Sequence, residues 1–307
     1  MPEHETVTVG AVVVAYNSDD LLAGCVTSIA QDPQVTSIVV VDNSSSPAAR
    51  AVVEGLDLPD GLVTYVDPGA NLGFARGCNL GAATAGPVTH FAFVNPDVRL
   101  TRPLSDLARS ASSSGSAVTA GLLVSPTTGV ASNTRALASW RHEFAKAIVG
   151  SRAYVGSSVQ PAQETAPIDV GQVDGALLVI AAQTFERLNG FDERFELYYE
   201  DVDLCARAHA VGRVTAIPQA WGDHVGGASS ASASTTSYCL SRISRIRYFR
   251  KAYGSSGFTR LRLVCLGVTE FLARSVTRQG EGQRTRRTSL AQQRAELRSP
   301  GSVRLLG

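Results

Sequence analysis

Val7-Thr8-Val9-Gly10-Ala11-Val12-Val13-Val14-Ala15-Tyr16-Asn17-Ser18-Asp19-Asp20 is a nearly unbroken run of β-branched and small apolar residues that stops at a polar turn. Leu21, Leu22, Cys25, Val26 and Ile29 follow at helical spacing. The segment therefore reads as a buried parallel strand, a turn and a helix. The pattern returns at Ser37 to Val41, which ends in Asp42-Asn43-Ser44-Ser45-Ser46-Pro47 before a helical Ala48 to Leu56. Val63 to Val66 and Phe91 to Val94 supply two more strands, with a helical Gly73 to Ala85 between them. Strands alternating with helices predict an α/β sheet, whose ligands bind beyond the carboxyl ends of the strands. Polar residues at those ends are the first candidates for chemistry.

Working outward, Val118 to Val124 is followed by a loop-rich stretch to about residue 165, carrying Arg135, Trp140 and Arg141, to which no chemistry can be assigned. A second ordered block runs from Val173 to Pro218, strand-like at Ala176 to Ala181 and helical at Val202 to Val211. Residues 226–237 are rich in Gly, Ser, Ala and Thr and read as a flexible connection. Residues 238–278 read as a basic amphipathic helical extension, and the polar residues 279–307 as a disordered tail. Residues 1–237 would then form the main domain.

At 307 residues and 44% hydrophobic content the chain can bury a full core, so wholesale disorder is excluded. Its net charge of +1 hides an asymmetry, because residues 238–307 hold 15 of the 28 Lys+Arg and 3 of the 27 Asp+Glu. The tail is thus +12 and the body −11. An acidic body suits a metal site, and a basic tail suits an anionic partner such as phospholipid. Leu261, Val264, Cys265, Val268, Phe271 and Leu272 recur at helical spacing between Arg260, Arg262 and Arg274, as on a helix lying on a membrane or packing on the body. A nucleic-acid arm is the competing reading of the tail, and no nucleic-acid partner is expected. Five widely spaced cysteines without a CxxC pair indicate neither a disulfide framework nor a zinc site, and a reducing cytoplasm is the natural compartment. Glu3, His4 and Glu5 stand where a signal peptide would be basic, so membrane contact should be peripheral, at the inner face.

The chemistry-bearing residues gather at predicted strand ends. Asp42 closes Ile38-Val39-Val40-Val41, where it can accept hydrogen bonds from a base or ribose, or simply form a turn with Asn43 and Ser44. Asn95-Pro96-Asp97 closes Phe91 to Val94 and offers one carboxylate to a hard divalent cation, which takes waters and phosphates as its other ligands. Glu200-Asp201-Val202-Asp203 crowds three carboxylates into four residues, enough to raise one pKa and make a general base, though acidic residues also favour a helix's first turn. The expectation is a catalytic Asp201 beside a structural Asp203 or Glu200. His224, in Trp221-Gly222-Asp223-His224, is a candidate metal ligand. The sequence after the first strand has neither the dinucleotide fingerprint nor a Walker lysine, and no Gly-x-Ser-x-Gly elbow occurs. Dehydrogenases, P-loop ATPases and serine hydrolases are disfavoured.

In order along residues 7–228, these pieces resemble the family-2 glycosyltransferases of GT-A fold, especially rhamnosyltransferase-like members. The likeness is carried by Ala15-Tyr16-Asn17, Asp42-Asn43-Ser44, Asn71-Leu72-Gly73-Phe74-Ala75-Arg76-Gly77-Cys78-Asn79 and Asn95-Pro96-Asp97. Asp174-Gly175-Ala176, Gly190-Phe191-Asp192-Glu193-Arg194-Phe195, Tyr199 to Leu204 and His224 complete it. It implies a Rossmann-like mixed sheet with flanking helices. By the same resemblance Ala15, Tyr16, Asn17, Asp42, Asn71, Gly73, Asn79, Asn95, Asp97 and Asp174 serve the nucleotide sugar, Asp97 and His224 hold Mg2+ or Mn2+, and Asp201 is the base. The usual Asp-x-Asp is Asn95-Pro96-Asp97 here, one carboxylate fewer. The implied reaction is inverting transfer of a sugar, L-rhamnose from dTDP-rhamnose, to a hydroxyl of a polyprenyl-diphosphate-linked or other cell-envelope glycan. UDP-galactofuranose as donor, or a non-catalytic nucleotide-sugar-binding scaffold, is the alternative, and assembly into homo-oligomers is left open.

Overall fold

The computed structural model describes residues 6–129, 131–149, 159–224, 235–277, 291–293 and 295–298. The amino-terminal part runs β1 (Val9–Ala15), α1 (Asp19–Ala30), β2 (Val35–Asp42), α2 (Pro47–Glu54), β3 (Val63–Val66), α3 (Phe74–Thr84), β4 (His90–Val94), β5 (Val98–Leu100), α4 (Leu104–Ser114) and β6 (Ser116–Val124). There follow β7 (Ala131–Ser132), β8 (Thr134–Arg135), α5 (Trp140–Val149), β9 (Ile168–Asp169), β10 (Gln172–Val173), β11 (Leu177–Ala181) and α6 (Ala182–Arg187). Last come α7 (Glu200–Ala208), β12 (Arg213–His224), α8 (Thr235–Tyr253) and α9 (Gly257–Thr277).

The main sheet is mixed, in the order β3-β2-β1-β4-β11-β6-β12-β5. β1 through β4 are mutually parallel, whereas β11 runs antiparallel to β4 and β5 antiparallel to β12. Every residue of β1 is buried, which explains its unbroken apolar sequence: both faces of the strand are covered. Val9, Ala11 and Val13 pack with Leu22 and Ile29 of α1 and Leu107 of α4. Val12 and Val14, pointing the other way, pack with Cys78 of α3, Phe185 of α6 and Leu204 of α7.

A third apolar cluster joins Trp140 of α5, Phe195, Val202 of α7, Ile246 and Phe249 of α8, and Leu263 of α9. Two expectations change here. The stretch read as loop contains α5, whose Trp140 ring packs 4.2 Å from Phe249, a contact that local periodicity does not announce. The basic extension is two unlike helices: α8 buries Cys239, Leu240, Ile243 and Phe249, and α9 keeps an exposed side. Of the expected flexible connection, 226–234 lie outside the described residues and 235–237 open α8. Of the expected disordered tail, only 291–293 and 295–298 are described; they are helical, and Glu296 is buried and accepts from Arg247 at 3.1 Å.

Candidate active site

At the β1–β2 edge, Ala15 pairs with Asp42 and its carbonyl accepts the Asn43 N–H at 2.9 Å. Asp42 is fully buried, and protein donors occupy both of its oxygens. Oδ1 accepts from the Ser44 N–H at 2.9 Å and the Ser44 hydroxyl; Oδ2 accepts from the Ser46 N–H and the Tyr65 hydroxyl, each at 2.7 Å. A carboxylate has about four acceptor positions, and here they are filled. The geometry makes Asp42 the organiser of the Ser44–Ser46 turn. Asn17, in the left-handed region at φ 49°, lies against that turn with its N–H 3.3 Å from Ser44 Oγ, and Tyr16 beside it is 54% exposed.

The loop before α3 bridges this edge to the rest of the site. The Asn71 carboxamide accepts the Gly73 N–H at 2.9 Å, while Asn43 donates to the Gly73 carbonyl at 3.0 Å. Gly73 has φ 79°, and a Cβ there would collide with the Glu196 carbonyl, so only glycine fits. Phe74 N–H donates to that same carbonyl at 2.9 Å. Asn79 exchanges hydrogen bonds with the Phe191 backbone, at 3.0 and 2.9 Å, and reaches Glu193 at 3.1 Å. Its amide clamps the 190–193 turn.

The second cluster assembles from four separate elements. Leu177 pairs with Val94, which sets Asp174-Gly175-Ala176 beside Asn95-Pro96-Asp97, and the Asn95 N–H donates to the Ala176 carbonyl at 2.9 Å. His224 pairs with Val98, directly after Asp97, so its Nε2 lies 3.2 Å from Asp97 Oδ1. That hydrogen bond holds the imidazole pKa above its ordinary value. Tyr198 and Tyr199, both left-handed at φ 67° and 68°, turn the chain sharply into α7, strain of the kind found at functional sites. Asp201 follows, accepting the Gly175 N–H at 3.0 Å and the Val202 N–H at 2.7 Å. Burial, together with the nearby Asp174 carboxylate, pushes the Asp201 carboxyl up to about 6. Glu200 is buried with Oε2 lacking a hydrogen-bond partner, and burial raises its pKa well above normal. Asp203 is tied to Arg207 at 2.7 Å and Lys251 at 2.5 Å, a structural role.

Three participants escaped the sequence reading. Arg135 donates to Asp174 at 2.8 Å. Asn133 is buried, donates to the Gly121 and Leu177 carbonyls at 2.9 Å each, and accepts the Asp174 N–H on its own carbonyl at 3.0 Å. Tyr65 secures Asp42. The first two lie where no periodicity exists, and the only available signal was a cation isolated among Ser, Thr and Ala.

Asp97 and His224 present one carboxylate and one imidazole to the cleft, a donor pair that fits Mn2+ or Mg2+ if diphosphate oxygens and waters supply the remaining ligands. Among the described residues no group of three or more His, Cys, Asp or Glu could enclose an ion alone.

A turn ordered by Asp42 and a strand-end carboxylate–imidazole pair, set in this mixed sheet with flanking helices, belong to a GT-A-like fold. Residues 11–160 match the sequence model of glycosyl transferase family 2. The fold is similar to that of S. aureus TarS residues 1–349, at 15% identity and TM-score 0.52 over 88% of this chain and 73% of that one. It is also similar to GalNAc-T7 solved with UDP, GalNAc and Mn2+, at 14% identity and TM-score 0.57 over 84% of this chain and 54% of that one. The mannosyltransferase PcManGT from Pyrobaculum calidifontis, solved with GDP-Man and Mn2+, gives 14% identity and TM-score 0.53 over 95% and 81%. No curated protein matches the sequence.

Proposed function

We propose that the chain catalyses inverting transfer of L-rhamnose from dTDP-rhamnose to a hydroxyl of a polyprenyl-diphosphate-linked cell-envelope acceptor at the cytoplasmic membrane face. The observation that carries the enzymatic reading is Asp201 of α7, pushed up to about 6 and bound to Gly175 just before β11, the strand that pairs with the one ending before Asp97. A base of that pKa is mostly ionised at neutral pH yet basic enough to take a proton from a hydroxyl as it attacks. The Asp42-ordered turn, Tyr16, Asn71 and Gly73 would shape the nucleoside end, and Asp174, kept in place by Arg135 and Asn133, would serve the transferred sugar. Asp97 and His224 would hold Mg2+ or Mn2+, which when bound offsets negative charge on the departing diphosphate. Support for the donor is the sequence resemblance, and support for a lipid-linked acceptor is the basic carboxyl-terminal segment. No helix among the described residues is long and apolar enough to cross a membrane.

A thermal-shift panel of dTDP-rhamnose, UDP-galactofuranose, UDP-GlcNAc and GDP-mannose, with Mn2+ or EDTA, tests this reading, since a ligand that prefers the folded form raises apparent stability. The expected result is the largest rise for dTDP-rhamnose with Mn2+. A larger rise with UDP-galactofuranose would reassign the donor, and no rise with any nucleotide sugar would refute the reading.

A further inference from the structure

α9 is apolar on two sides. Thr259, Leu263 and Leu266 are buried against the body, while Phe258, Leu261, Val264 and Val268 are 61%, 58%, 49% and 51% exposed. At about 100° per residue, those four and the exposed Cys265 fall within an arc of about 120°. Arg262 and Arg260 lie roughly 40° beyond its two edges. The Arg262 guanidinium rests 4.2 Å from the Phe258 ring centroid and 5.6 Å from that of Trp140. Of the eight large hydrophobic residues exposed among those described, four belong to this single face. Chance scatter of surface apolar groups does not concentrate them so.

We infer that the outward face of α9 is a docking surface for an anionic lipid bilayer, entered by Phe258, Leu261, Val264 and Val268 and flanked by Arg260 and Arg262. An apolar stripe bordered by cations is the arrangement that buries side chains at the headgroup boundary while long basic side chains reach the phosphates. The sequence around it matches this in charge: residues 238–307 carry 15 Lys+Arg against 3 Asp+Glu. A second copy of the same face would set arginines against arginines, which disfavours self-association. α9 packs on α5, and α5 begins shortly after Arg135, so the docked surface and the Asp174–Asp201 cluster belong to one connected part of the molecule. The inference rests on the proposed lipid-linked acceptor for its purpose, since it brings the cleft to where such an acceptor lies, but its test does not depend on that reaction.

The test is sedimentation of the full chain with phosphatidylcholine vesicles and with phosphatidylcholine–phosphatidylglycerol vesicles, in the absence of any sugar donor. The wild type should bind the anionic vesicles only. The triple variant Phe258→Ser, Leu261→Ser, Val268→Ser should bind them on the order of 100-fold more weakly. Its turnover on a water-soluble acceptor should be unchanged, so loss of the catalytic reading and loss of docking appear in different assays. Because the other four cysteines are buried, a polarity-sensitive fluorophore on Cys265 gives a second readout on the otherwise unaltered chain, and its emission should shift to the blue with anionic vesicles. Equal binding by the triple variant, or no fluorophore response, overturns the inference. A wild-type dimer that the triple variant dissociates in sedimentation velocity overturns it too, by making a second copy the occupant.

Discussion

Asp42 at the end of β2 and Asp201 in the first turn of α7 are the same residue type, and their surroundings treat them oppositely. Asp42 is wholly buried with four donors on its two oxygens. Asp201 receives two backbone N–H groups, and burial and the charge of Asp174 hold its carboxyl near 6. A carboxylate saturated with donors is a strut; one with few donors and a like charge nearby keeps a use for its proton affinity. The lesson is that residue type alone does not distinguish the two, and the count of donors around each carboxylate does.

The contrast is most severely tested by replacing Asp201 with Asn, which should lower turnover by roughly 10²–10⁴-fold while leaving donor affinity nearly unchanged. Turnover within a fewfold of wild type would remove Asp201 from the role of base. The pH profile comes next. With a carboxyl near 6, the ionised base is lost as pH falls through that value, so turnover should drop about tenfold per unit below it. Asp174→Asn removes the like charge and should move that acidic limb to lower pH; a limb that stays put would show the two carboxylates to be uncoupled. The smallest effect is expected from Asp42→Ala, which leaves the Ser44 and Ser46 N–H groups and the Tyr65 hydroxyl without their acceptor. A loss of roughly 3 kcal/mol in urea unfolding is expected. Unaltered stability with abolished donor binding would return Asp42 to direct contact with the nucleoside.

Much of this fold was readable because β1 and β2 are buried on both faces, which forces long apolar runs that end abruptly in polar residues. The convergence of Asp97 with His224 was not readable from spacing. It depends on β12 pairing antiparallel with β5 after register slips between Ile217 and Gly222, a long-range event. Arg135 and Asn133 were invisible for a similar reason: β8 is two residues long and its partner β10 lies far along the chain. The donors that Tyr65 and the Ser44 and Ser46 backbone supply to Asp42 were hidden on a different ground, because local sequence does not count donors. α5 was missed since Trp140 is fixed by Phe249 and Tyr253, more than a hundred residues away in the chain.

The close approach of Gly73 to the Glu196 carbonyl, sealed by the Phe74 N–H, has a consequence for redesign. The segment that leads into α3 and the segment that leads into α7 are welded at one point, so neither can be exchanged alone. A graft of residues 71–73 inherits the host's path from 192 to 199 and, with it, the posture of α7. Transplanting both segments together is the smallest unit that keeps the weld.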